Sequence, residues 1–125
     1  RMTDSLEIYV DLYPPIPSRN EAVYEKRLGI FCRAARRAVS AVKAAGTELP
    51  KPGTRLVDVT ATVLEKRGDT CARHPDVYEE ALRRAMVDAH VANVYGDICV
   101  ASASVRHGCT DEKAGGTVLA IRWRP

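Results

Sequence analysis

No run of apolar residues in this chain approaches the roughly 18 that a membrane-spanning helix requires. Met2 is followed by acidic and alternating residues, so the start does not read as a basic-then-apolar secretory leader. Cysteine is sparse: Cys32, Cys71, Cys99 and Cys109 are scattered with no paired spacing. A disulfide-stapled secreted domain is smaller and denser in cysteine. These four therefore read as reduced, mostly buried thiols, which points to a cytoplasmic setting. No nucleophile elbow, Walker loop or dinucleotide fingerprint is present. Gly115-Gly116 reads as a hairpin tip and not as a phosphate cradle. Repeats and low-complexity tracts are absent as well.

What remains is an ordinary globular composition. The 125 residues are 46% hydrophobic and 28% charged, which excludes disordered and fibrous classes. A chain this long buries roughly two-thirds of its unfolded surface, enough for one core. Residues 1–125 read as a single domain, with Arg1 ahead of Met2 as a tag remnant. The formal charge is +3, from 19 basic and 16 acidic residues. That excess is too small to imply a nucleic-acid partner, so the placement of the charges decides.

Leu6, Ile8, Val10 and Leu12 alternate with Glu7, Tyr9, Asp11 and Tyr13, the period of a half-buried strand. Pro14-Pro15-Ile16-Pro17 stops it, since proline lacks a backbone donor. From Glu21 to Ala45 the period becomes helical. Val23, Ile30, Phe31, Ala34, Ala35, Ala38, Val39 and Val42 form its expected apolar face, and Gly46 its C-terminal cap. Arg55 to Glu65 reads as a second strand, with Val57, Val59, Ala61 and Val63 on one face. Pro75 to Glu79 opens a second helix, with Asp76 as cap and Glu79 completing a capping box. Tyr78, Ala81, Leu82, Ala85 and Ala89 give it an apolar stripe. Ile98–Val105 and Thr117–Trp123 read as third and fourth strands, joined as a hairpin through Gly108–Gly116. The expected class is α+β: a small mixed sheet of about four strands packed by two helices.

Two charge fields stand out. Arg33, Arg36, Arg37 and Lys43 gather on one side of the first helix, where they can displace the counterions of a nucleic acid. The same pattern serves a solvated, solubilising face equally well. Asp69, Asp76, Glu79 and Glu80 cluster after the second strand, and Asp97 stands in a glycine-containing turn before the third. Carboxylates drawn from separate segments are what Mg²⁺ needs, namely hard oxygen ligands with several waters kept. Capping and i,i+4 pairing of Glu79 with Arg83 and Glu80 with Arg84 explain part of this cluster without a metal. Cys71, His74, His107 and Cys109 offer a competing zinc set of unusual spacing.

Several stretches together carry a family likeness. Leu12-Tyr13-Pro14-Pro15 with Ser18 and Asn20, the long basic helix, the strand at Val57–Val63, Ala85-Met86-Val87-Asp88-Ala89, Val94-Tyr95-Gly96-Asp97 and Val105-Arg106-His107-Gly108 stand in order along nearly the whole chain. So does the final strand. In this the sequence resembles the RusA family of Holliday-junction resolvases, small dimeric endodeoxyribonucleases common in phages and prophages. The resemblance implies a Mg²⁺-dependent homodimeric nuclease that acts on branched DNA inside a bacterial or phage-infected cell, with no small-molecule cofactor and no membrane. It implies Asp97, Glu80 and Asp69 or Asp76 as metal ligands, and Arg84, Arg33, Arg36, Arg37 and Lys43 as DNA contacts.

The departures from the family lie at the chemistry. Its Asp-x-Asp-Asn motif after the second strand, followed by a lysine, has no counterpart here. Counting back from Asp88 places Tyr78 and Glu80 at the two aspartates and Arg84 at the lysine. Counting forward from the strand places Asp69 near the first aspartate. An arginine holds phosphate but does not replace a lysine in proton transfer. A catalytically decayed DNA-binding or scaffolding protein on the same fold is thus the alternative, and a zinc-stabilised interaction module a further one.

Overall fold

The first strand, β1 (Asp4–Val10), keeps the alternation of its sequence: Leu6, Ile8 and Val10 are buried, while Ser5, Glu7 and Tyr9 face outward. A computed structural model describes residues 4–49, 56–66, 75–89, 103–110 and 115–123. After β1 the chain bends at Asp11 and Leu12, so the strand ends three residues short of the expected Tyr13, and the Leu12 carbonyl accepts the Thr117 hydroxyl at 2.9 Å. Pro14 and Pro15 are buried and carry the chain into helix α1 (Glu21–Ala44).

Both ends of α1 are set by side-chain and backbone chemistry. Asn20 caps its start by accepting the Val23 N–H at 3.2 Å, and its own N–H donates to the Ser18 hydroxyl at 3.2 Å. At the other end Gly46 adopts φ +85°, a conformation that costs glycine little. Its N–H reaches the Lys43 carbonyl at 3.0 Å and the Thr47 N–H reaches that of Val42 at 3.2 Å, a Schellman closure. The buried face is Tyr24, Leu28, Phe31, Ala34, Ala35 and Val39. Val23 and Ile30, expected on that face, are 36% and 42% exposed. At 100° per residue they fall roughly 100° or more from the line through Phe31, Ala35 and Val39.

The second strand, β2, is Leu56–Lys66. A single 3-10 turn, Pro75–Tyr78, leads into helix α2 (Glu79–Asp88), followed by β3 (Ala103–Thr110) and β4 (Gly116–Trp123). The α2 N-cap is Tyr78, which makes no side-chain cap bond, and the Glu79 carboxylate instead binds Arg83 at 2.7 and 3.0 Å. The tighter turn shifts the helix start beyond Asp76, the expected cap.

The sheet has the order β1-β4-β2-β3. β4 runs antiparallel to both β1 and β2, whereas β2 and β3 are parallel. This corrects two expectations. The third strand, expected to end at Val105, runs on through Arg106, His107, Gly108, Cys109 and Thr110, while residues 98–102 of the expected strand lie outside the described residues. Strands β3 and β4 make no hairpin, because β2 lies between them and pairs with each along opposite edges. The α2 crossover returns the chain parallel to β2. The last strand then takes the other edge of β2. Gly116 is a strand residue in place of a hairpin tip, and a Cβ there would lie 2.6 Å from the Tyr9 hydroxyl.

Both helices cover one face of the sheet. Leu6, Ile8, Val10, Ala61, Val63, Leu119, Ile121 and Trp123 pack there against Phe31, Ala35, Val39, Tyr78, Leu82 and Ala85. Burial of these apolar side chains, about 25 cal/mol per Å², is the main force holding the layers together. Two helices on a four-stranded mixed sheet is the α+β arrangement the sequence led one to expect. Among the described residues, no helix is long and apolar enough to cross a membrane.

Candidate functional site

Six basic and two acidic residues lie within α1. Lys26, Arg33 and Arg37 fall within about 40° of one another around its axis, opposite the buried face. All three are exposed, and no ion pair ties any of them to another described residue. They form a ridge about three turns long. Lys43 is exposed in the last turn. Arg36 differs, since its Nε pairs with Asp88 of α2 at 3.0 Å. Arg84 of α2 pairs through Nη1 with Glu25 of α1 at 3.0 Å, and this hydrogen bond raises its pKa further. Of the five cations expected on DNA, Arg33, Arg37 and Lys43 stand unengaged among the described residues, while Arg36 and Arg84 clamp the helices together.

Between α1 and α2 runs an open groove of about 680 Å³, floored by Leu28, Cys32 and Val87 and rimmed by the charged residues of these pairs. Glu80 lies in it, exposed. Burial raises the pKa of the neighbouring Tyr24 phenol, and the Glu80 carboxylate raises it further. The Tyr24 hydroxyl is enclosed without a hydrogen bond of ordinary geometry. Burial likewise raises the Cys32 thiol, with Asp88 adding to the effect.

Glu80 faces the helix groove, and Asp76 is exposed on the 3-10 turn. Asp69 and Asp97 lie outside the described residues. Among the described residues, no three histidine, cysteine, aspartate or glutamate side chains converge as a metal site. Of the zinc set, Cys71 and His74 also lie outside. His107 and Cys109 occupy β3 positions in register with Val63 and Glu65. Cys109 lies within β3, at its carboxyl end.

One carboxylate was not singled out by its sequence. Glu65, near the carboxyl end of β2, is only 3% exposed. Its Oε1 accepts the hydroxyl of Tyr78, itself buried, at 3.0 Å, while its Oε2 is enclosed with no hydrogen bond. Parity signalled this: Glu65 continues the buried series Ala61, Val63, a position where a charged residue requires a reason.

No protein-family model matches the chain, and no curated protein matches it. Among solved structures it is similar to the hydrogenase maturation protein HypE and to HypE in complex with ATP. Each is 8% identical, with a TM-score of 0.35 over 98% of this chain. The chain spans 31% and 30% of the length of those two proteins.

Proposed function

We propose that this chain is a RusA-like, Mg²⁺-dependent endodeoxyribonuclease that acts on branched DNA as a homodimer in phage or prophage recombination and repair. The observation that carries the reading is the α1 ridge. Lys26, Arg33 and Arg37 stand exposed and unneutralised among the described residues on one line, an array that follows a phosphate backbone. The order of strands and helices, and the sequence likeness along nearly the whole chain, accord with it.

In this reading Asp97, Glu80 and Asp69 or Asp76 hold the ion. When bound, Mg²⁺ activates a water and neutralises the charge that develops on the phosphodiester. Arg33, Arg37 and Lys43 hold the DNA backbone, and Arg84 reaches a phosphate only by leaving Glu25. Two copies of a domain this small would address the two strands to be cut. The test is incubation of a synthetic four-way junction with the purified protein and Mg²⁺. Paired nicks near the branch support the reading, and an intact junction contradicts it.

A second reading keeps DNA binding and drops the chemistry. It is favoured by Tyr78, which takes a position counted to a family aspartate and lies buried, and by Arg84, engaged with Glu25. Junction binding that weakens steeply with salt and is indifferent to Mg²⁺, with no cleavage, would establish it.

A further inference from the structure

We infer that the face of the sheet turned away from the helices is where a second copy of this chain docks, sheet against sheet. The inference rests on the homodimer of the reading above and names its surface.

Both helices lie on one face of the sheet, and the alternation of each strand decides what the other face carries. Its centre, on β4 and β2, is Val118, Ala120, Thr60, Thr62 and Leu64, all half-buried and uncharged. Its flanks differ in sign. β1 presents Glu7 beside Tyr9 on one side, and β3 presents Arg106 on the other, all exposed. A flat neutral centre between flanks of opposite charge is complementary to itself, which is the requirement of a two-fold interface.

A two-fold axis parallel to the strands lays β1 of one copy over β3 of the other, and β4 over β2. Tyr9, Val118, Thr62 and Arg106 share one row of the sheet, and the axis keeps rows level. Tyr9 then meets the partner's Arg106, and Val118 meets the partner's Thr62. The Tyr9 ring lies across Gly116, where a Cβ would come within 2.6 Å of its hydroxyl, and it is 48% exposed. A guanidinium over that ring gains a cation–π contact. Glu7 stands one row away, about 7 Å along β1, within reach of the same arginine. Four strands about 4.8 Å apart and some seven residues long make a face of roughly 19 by 23 Å. Two such faces with their side-chain relief remove on the order of 1,000 Å² from water, where specific interfaces begin. A DNA strand fits this face less well, because Glu7 repels phosphate and the α1 cations stand on the opposite layer. Sheet-to-sheet docking leaves both α1 ridges exposed.

The experiment is sedimentation equilibrium of the full chain without DNA. The native chain is expected at twice its 13.7 kDa mass. Glu7→Lys and Arg106→Glu, each alone, set like charges against each other between copies and should weaken dimerisation at least about tenfold. Combined in one chain they restore opposite charges, and dimerisation should return to within about threefold of native. Within one copy the two residues stand on strands about 14 Å apart, so only pairing between copies gives that rescue. Thr62→Glu puts an unpaired charge at the centre and should leave a monomer with native circular dichroism. If Thr62→Glu does not fold, the charge exchange decides. A native chain that is monomeric at about 100 μM, a dimer indifferent to both single reversals, or single losses that the combination does not rescue overturns the assignment. A monomer that binds single-stranded DNA and loses it in Tyr9→Ala gives the face to nucleic acid instead. Dimerisation through this face without junction cleavage leaves the assignment standing and removes the nuclease reading. Junction cleavage by a dimer that ignores these variants does the reverse.

Discussion

Replacing Tyr78 with phenylalanine isolates its buried contact with Glu65. The ring is buried and the substitution keeps its volume, so packing against the core is preserved. What is lost is a 3.0 Å hydrogen bond to Glu65, whose other oxygen already lacks one. A hydrogen bond to a charged partner contributes about 1.5–3 kcal/mol, and here its loss leaves the carboxylate with neither oxygen bonded. For a chain of this length each kcal/mol moves the melting temperature by about 4 °C, so a fall of roughly 6–12 °C is expected. Urea unfolding followed by circular dichroism, in EDTA, gives the free energy directly. The control is a double-mutant cycle with Glu65→Leu, in whose background Tyr78→Phe should cost less than about 1 kcal/mol. If Tyr78→Phe alone stays within about 0.5 kcal/mol of the native chain, or costs the same in both backgrounds, the pair does not hold the carboxylate as described.

Three further outcomes follow from the same geometry. Gly116→Ala places a methyl group 2.6 Å from the Tyr9 hydroxyl and 2.7 Å from the Val10 carbonyl, so unfolding should show a loss of about 1–3 kcal/mol, and an unchanged stability would contradict the close packing of β1 on β4. The joint substitution of Arg33 and Arg37 by glutamine should lower the slope of log affinity for duplex or junction DNA against log salt by about 2, and an unaltered slope would remove α1 from the interface. Burial, with Asp88, raises the Cys32 thiol above 9.0, so mass-mapped alkylation near pH 8 should run slower than for a free cysteine. The sign for stability is that of a raised pKa: the contribution is full below about pH 9 and is lost as pH rises through the folded value. Cys32 reacting as fast as a free thiol would contradict its enclosure.

The parts of the fold with local signals were legible. Gly46 and the proline run mark the ends of α1, since left-handed backbone and a missing donor are each decided by one or two residues. The alternation of β1 marks its buried face for the same reason. Neighbour choice in the sheet was not legible, because it depends on which edge of β2 each later strand reaches. Gly108 read as a loop residue, yet it lies in β3 close beside Leu64, where a Cβ would come within 2.9 Å of the leucine side chain. The α1 ridge was visible as a cluster of arginines. Which of them are spent on α2 was not, because Glu25–Arg84 bridges 59 residues of sequence. Glu65 was within reach of parity alone, although a glutamate at a strand end ordinarily faces water.

The most direct test of the account is a time course on a synthetic four-way junction, with linear duplex as the control, in Mg²⁺ and in EDTA, for the native chain and for Asp97→Asn. The account predicts cuts confined to the junction, dependent on Mg²⁺ and abolished or strongly slowed by Asp97→Asn. A junction left intact in Mg²⁺, or cut equally by the native chain and by Asp97→Asn, would contradict it.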